Sequence, residues 1–111
     1  MDKMLIELRL ESIKKHISYV NEDLKDVSLD EFKKSDLFVR ATCFSIMQIG
    51  EQLTKLESIF AKDYPDIPWK AAIKLRTLIV HIYNKVDAEE IYKVAKKDLP
   101  VLEAAINKIT I

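Results

Sequence analysis

Trp69-Lys70-Ala71-Ala72-Ile73-Lys74-Leu75-Arg76-Thr77-Leu78-Ile79-Val80-His81-Ile82-Tyr83 is the stretch whose pattern decides the fold. At about 100° per residue, Leu75, Ile79 and Ile82 share one helical face, while Ile73, Thr77 and Val80 lie roughly opposite. A helix apolar on two sides is buried on two sides. One side belongs to the chain's own core, and the other needs a further partner. The long segment before it repeats this pattern. Its main stripe is Thr42, Ile46, Ile49, Leu53, Leu56 and Phe60, and Val39, Cys43, Met47 and Gly50 lie off that stripe. Gly50 is the only glycine of the chain. In mid-helix it costs about 1 kcal/mol relative to alanine, which a close helix approach explains. The two second faces predict a homodimer, because a two-fold interface uses one patch twice. Ile73, Val80, Cys43 and Met47 are expected between the subunits.

Outward from this stretch, apolar residues recur at helical spacing almost throughout. Ile6, Leu10, Ile13, Ile17 and Val20 make a first stripe. Ser28 with Glu31 spells a capping box for a short helix holding Phe32. Asp36 is expected to cap the long second helix. Tyr64-Pro65-Asp66-Ile67-Pro68 is the one clear break, and Pro68 suits the first turn of the helix that follows. Asp87 with Glu90 spells another box, and Asp98-Leu99-Pro100 is expected to restart the chain into a last helix. The predicted fold class is all-α: an antiparallel bundle of four to five helices in one domain, residues 1–111, with short connections. It is expected to dimerise through the long second helix and the Trp69–Tyr83 helix.

Composition bounds the partners. The chain has 111 residues, 49% hydrophobic and 32% charged, which describes a folding chain rather than a disordered one. Lys plus Arg and Asp plus Glu number 18 each, so any nucleic-acid site must be local. A single cysteine, Cys43, rules out an internal disulfide and a cysteine-based zinc site. The opening Met1-Asp2-Lys3-Met4 leads straight into a charged, periodic segment and no apolar run has bilayer length, so the expectation is a cytoplasmic protein with no secretory leader and no membrane role. No carboxylate cluster or histidine pair has metal-ligand spacing, and no glycine-rich loop is present. Neither a metal nor a cofactor is expected.

Arg76 and His81 flank the second face of their helix, about 140° apart. One chain's pair converges poorly, whereas across a two-fold axis the arginine edge of one subunit can meet the histidine edge of the other. Arginine binds phosphate with a fork of donors, and histidine moves protons near neutral pH. That combination suffices to cleave RNA through the ribose 2′-hydroxyl. The plain alternative is an arginine in a surface ion pair and a histidine at a helix end. Lys70, Lys74 and Lys85 are either guides for an RNA backbone or an ordinary solvated coat. Glu51 is either a surface charge or a support for Arg76 or His81. Trp69 and Cys43 read as core residues, and His16 as solvated.

Arg76-Thr77-Leu78-Ile79-Val80-His81-Ile82-Tyr83 resembles the R-x-x-x-x-H-x-Y signature of HepT-like ribonuclease toxins, members of the HEPN superfamily. Tyr64-Pro65-Asp66-Ile67-Pro68-Trp69-Lys70, Ile49-Gly50-Glu51 and Asp98-Leu99-Pro100 before Leu102 are similar to further motifs of that family, in order along nearly the whole chain. The resemblance implies a dimeric, metal-independent ribonuclease toxin with Arg76 and His81 at the subunit seam. It also implies a cognate minimal nucleotidyltransferase antitoxin, MntA-like, that adds AMP to Tyr83. Where the family usually has Asn after the arginine, this chain has Thr77. Thr77 is thus a supporting position whose change favours the alternative of a non-catalytic helical partner for such a nucleotidyltransferase.

Overall fold

The computed structural model describes the backbone of residues 1–82 and 87–111, and the side chains of these residues other than 75, 78 and 80–82. Among them the chain is helical, with no strand. In order come α1 (Lys3–Asp23), α2 (Leu29–Lys34), α3 (Asp36–Phe60), α4 (Trp69–Ile82), α5 (Ala88–Lys93), a π turn (Val94–Asp98) and α6 (Leu99–Ile106).

Local chemistry sets the helix starts. Asp2 caps α1, accepting from the Met4 and Leu5 amides at 2.7 and 3.3 Å. The Ser28–Glu31 capping box forms in both directions, at 3.1 and 3.2 Å. Ser35, not Asp36, caps α3: its Oγ accepts from the Phe38 amide at 3.1 Å. Asp36 sits in the first turn instead and holds Arg40 at 2.7 Å, where a carboxylate suits the positive end of the helix dipole. Pro68 lies one position before α4, and its carbonyl accepts from the Ala72 amide at 3.1 Å. Asp87 caps α5 through the amide of Glu89 at 2.9 Å rather than that of Glu90.

The expected restart at Asp98 does not occur. From Ala88 to Ile106 the helix is continuous and widens into the π turn, where the Leu99 N–H reaches the Val94 carbonyl. Pro100 supplies the reason. It has no N–H to donate, and in an α-turn its ring would crowd the carbonyl four residues back. One wider turn ahead of it relieves that contact.

The core runs through Ile13, Ile17, Phe32, Leu53, Leu56, Ile79 and Ile106, all fully buried. The central element is α3. It packs antiparallel to α1, with Gln52 opposite Arg9 and Ser45 opposite His16, and its other flank packs on α4. The last helix closes the bundle from below. Tyr92 donates to the Val27 carbonyl at 2.7 Å, and the Lys96 ammonium meets the Leu24 carbonyl at the end of α1 at 2.6 Å. A cation there complements the negative end of the helix. Trp69 is 5% exposed, with its indole N–H on the Tyr64 carbonyl at 3.0 Å, so it anchors the α3–α4 connection as expected.

One residue expected in the subunit seam needs correction. Cys43 is 1% exposed within the single chain, and Met47, Val39 and Ile73 also pack against this chain's own core. Cys43 is therefore unavailable to a subunit seam. The side chain of Val80 lies outside the described residues. Among the described residues, large apolar side chains left in solvent include Met4, Leu5, Leu8 and Tyr19 on α1, Leu37 and Phe44 on α3, and Val101 on α6.

Candidate active site

The site starts from Gly50. A Cβ at this position would overlap the Cβ of Arg76, and would come within 2.8 Å of the Arg76 Cγ and 3.4 Å of the Ala72 carbonyl. The absent side chain is what lets the stem of Arg76 cross α3 here. The close approach expected from the lone glycine thus exists, but it lies within one chain, between α3 and α4.

Beyond the crossing, the Arg76 guanidinium meets the carboxylate of Glu51, Nη2 to Oε2, at 2.7 Å. Lys55 approaches the other oxygen of Glu51 at 3.7 Å. The Arg76 and Glu51 side chains are 32% and 36% exposed, so the pair is oriented yet open to a ligand. Ile49, Gly50 and Glu51 now have separate physical duties. Ile49 is buried in the core, Gly50 admits Arg76, and Glu51 orients it. Of the readings of Glu51, the geometry is that of a partner to Arg76; the side chain of His81, the other residue it was expected to support, lies outside the described residues.

Thr77 is exposed, and its hydroxyl donates to the Ile73 carbonyl one turn back, at 3.1 Å. It therefore adds no bond to the Arg76–Glu51 pair. Lys70 and Lys74 are exposed on α4. His81 falls in the last turn of α4, but its side chain lies outside the described residues, and Tyr83 and Lys85 lie outside them altogether. Among the described residues no group of three or more His, Cys, Asp or Glu could hold a metal ion. An apolar cavity of about 300 Å³ lies behind Gly50, between Ile46, Ala72, Leu99 and Leu102, with Asp98 the one charged group among the described residues of its lining. It offers nothing that would attract a phosphate.

Two side chains escaped the sequence pattern. His16 is not simply solvated. It is half-buried between α1 and α3, with Nδ1 3.2 Å from Ser45 Oγ and ring edges toward Tyr19 and Phe44, at 5.5 and 5.9 Å. Burial, and then the charge of Lys15, lower its pKa below the usual 6.5. Arg9 of α1 donates from Nη1 to Gln52 Oε1 at 2.8 Å, and its Nε is buried without a partner among the described residues. A signal for Arg9 exists in the sequence. The positions three and four residues away on α1 hold Leu5, Ile6, Ser12 and Ile13, so no local carboxylate can pair with it. Of the two roles expected for Cys43, seam residue and small buried hydrophobe, the structure gives it the second: it is buried within the chain, and burial raises its thiol pKa.

No helix is long and apolar enough to cross a membrane among the described residues. No solved structure matches the chain significantly. Among curated proteins it is 33% identical over 104 residues to "Gamma-glutamylcyclotransferase and putative RNase MJ0434" of Methanocaldococcus jannaschii, across 94% of this chain and 47% of that protein. It spans about half of that relative's length. It is 26% identical to "Putative RNase MJ1380" of the same organism, across 96% of this chain and 97% of the other. "Probable ribonuclease HepT" of Thermococcus cleftensis is 27% identical, across 90% and 91% of the two chains. Residues 9–109 match the family described as Ribonuclease HepT-like. The match takes in the whole α3–α4 crossing with Gly50, Glu51 and Arg76, and the chain belongs to the HepT-like ribonuclease family.

Proposed function

We propose that the protein is a metal-independent endoribonuclease and the toxin of a toxin–antitoxin pair, with Arg76 and His81 as its catalytic residues. The observation that carries this reading is the Arg76–Glu51 pair, placed at the surface by Gly50 and left one-third exposed. In the reaction, His81 takes the proton of a ribose 2′-hydroxyl, and the 2′-oxygen attacks the phosphorus. The bond to the 5′-oxygen breaks, and that oxygen leaves with a proton from the His81 of a second subunit. Arg76 stabilises the negative charge that builds on the phosphoryl oxygens. The products are a 2′,3′-cyclic phosphate and a 5′-hydroxyl. Lys70, Lys74 and Lys85 guide the RNA backbone.

The two histidines require a homodimer. The face that supports one is the α1–α3 surface with Leu8, Tyr19, Leu37 and Phe44, all more than a third exposed. A surface of that kind marks an association site, and Glu51 lies on the same helix, α3. Purified protein should cut RNA in excess chelator, while His81→Ala and a 2′-deoxy substitution at the scissile nucleotide should each abolish cleavage. Cleavage that needs added metal, or that proceeds equally on DNA, refutes the mechanism.

Control by a nucleotidyltransferase antitoxin acts at Tyr83 in this reading. AMP added there brings a phosphate to a position seven residues from Arg76, where it competes with RNA for the guanidinium. Co-expression with a neighbouring nucleotidyltransferase should add AMP mass to the Tyr83 peptide and none to Tyr83→Phe. Full neutralisation of Tyr83→Phe would leave simple binding as the mechanism. One observation favours the second reading, a non-catalytic partner of such a nucleotidyltransferase: the Thr77 hydroxyl is taken up by the Ile73 carbonyl, where the family's usual Asn would bring an amide. Wild-type protein that is harmless on expression and cuts no RNA would establish that alternative.

A further inference from the structure

We propose that Arg9 is a second phosphate-binding residue for RNA, an inference that rests on the ribonuclease reading above. Glu51 and Gln52 are neighbours on α3, and each takes one guanidinium: Arg76 from α4 and Arg9 from α1. The two arginines thus stand at one level of the bundle, on the two flanks of α3. Their partners differ in charge. Glu51 is a carboxylate and offsets the charge of Arg76. Gln52 is a neutral amide, which orients Arg9 and leaves its charge whole.

Half-buried cations are ordinarily paired. Arg9 makes no ion pair among the described residues; its Nη1 holds Gln52, its Nε–H is buried without a partner, and its Nη2 donors are neither buried nor engaged among the described residues. An oriented, uncompensated guanidinium with donors to spare is the group that binds a phosphodiester oxygen. The chain as a whole has no net charge to attract RNA, so discrete sites of this kind must supply the attraction.

The competing role for Arg9 is a strut between α1 and α3, and Gln52→Glu separates the two. For a strut, the carboxylate strengthens the contact and changes nothing else. For a phosphate site, it neutralises the cation that RNA needs. The measurement is binding of a short fluorescent single-stranded RNA to His81→Ala protein across a salt series, with thermal melts of each variant. Arg9→Gln and Gln52→Glu should each weaken binding about fourfold near 0.15 M salt, and reduce the salt slope by about 0.7 for the one phosphate no longer neutralised. Gln52→Glu should melt no lower than its parent, and Arg9→Lys should keep most of the slope. Unchanged binding in Arg9→Gln or Gln52→Glu, beside a loss in Arg76→Ala, overturns the Arg9 assignment and leaves the ribonuclease reading standing. Failure of the parent to bind RNA at all removes both. Should Arg9→Gln fail to fold, Gln52→Glu decides, since it keeps the size of both side chains.

Discussion

Gly50 faces two opposing local demands. Within α3 it costs about 1 kcal/mol relative to alanine, so alanine would be the better residue for an isolated helix. Against α4 even one methyl group meets the stem of Arg76. The stem is not the free end of a side chain, so the helices themselves must separate. Gly50→Ala should therefore destabilise the protein by roughly 1–3 kcal/mol despite the gain in helix propensity. It should also lower RNA cleavage, because Arg76 moves with α4. Urea denaturation and a cleavage assay check the two effects. A variant more stable than wild type would show that the close approach does not constrain the sequence here. The residue scale also shows why Glu51 could be read two ways: a glutamate 25 positions before an arginine is an ordinary surface charge until α3 and α4 meet.

At the scale of elements, the α1–α3 contact carries a titratable group. His16 has a lowered pKa, from burial first and Lys15 second. Asp23 and Arg40 line the same cleft, with Tyr19 and Phe44. Well above about pH 6.5 the imidazole is neutral whether the chain is folded or not, and its packing is fully favourable. As pH falls, the unfolded chain takes up the proton first, so stability drops from about pH 6.5 down through the lower folded value. Wild type should thus lose more melting temperature between about pH 7.5 and about pH 5 than His16→Gln does. Equal losses would mean that other groups set the acid response. The starts at Ser28 and Asp87 were legible at this scale, because caps are local chemistry and need only their own neighbours; Asp2 caps α1 by the same chemistry but was not singled out in the sequence. The choice of Ser35 over Asp36 was not legible, since both are good caps and one turn of backbone decides between them. Pro100 misled for a related reason. A proline usually marks a boundary, but a π turn lets the helix pass through it.

The whole molecule poses the question of its outer surface. In a single chain, Leu37 is 65% and Phe44 53% exposed, on a helix whose other flanks are already covered by α1 and α4. A second copy is the proposed cover. Phe44→Glu places a charge in that apolar seam at a substantial desolvation cost. It should yield monomers by light scattering and abolish RNA cleavage with them. A monomeric variant that still cuts RNA would sink the shared site, and an unaltered dimer would move the seam away from this face.

The helical class, the caps at Ser28 and Asp87 and the core stripes were legible in the sequence. These follow from period and from neighbours a few residues apart. The sequence also marked Gly50, Glu51 and Arg76 as worth explaining. What each of them touches was settled only by tertiary packing. Periodicity shows that α3 has more than one apolar face, but it cannot say which face meets α4, which meets α1 and which is left over. Cys43 was therefore assigned outward and lies in the core, while Phe44, one residue later and about 100° around the helix, is the side chain left exposed. The same one-residue difference sends Glu51 to Arg76 and Gln52 to Arg9. Long-range packing sets that rotation, and no local pattern encodes it.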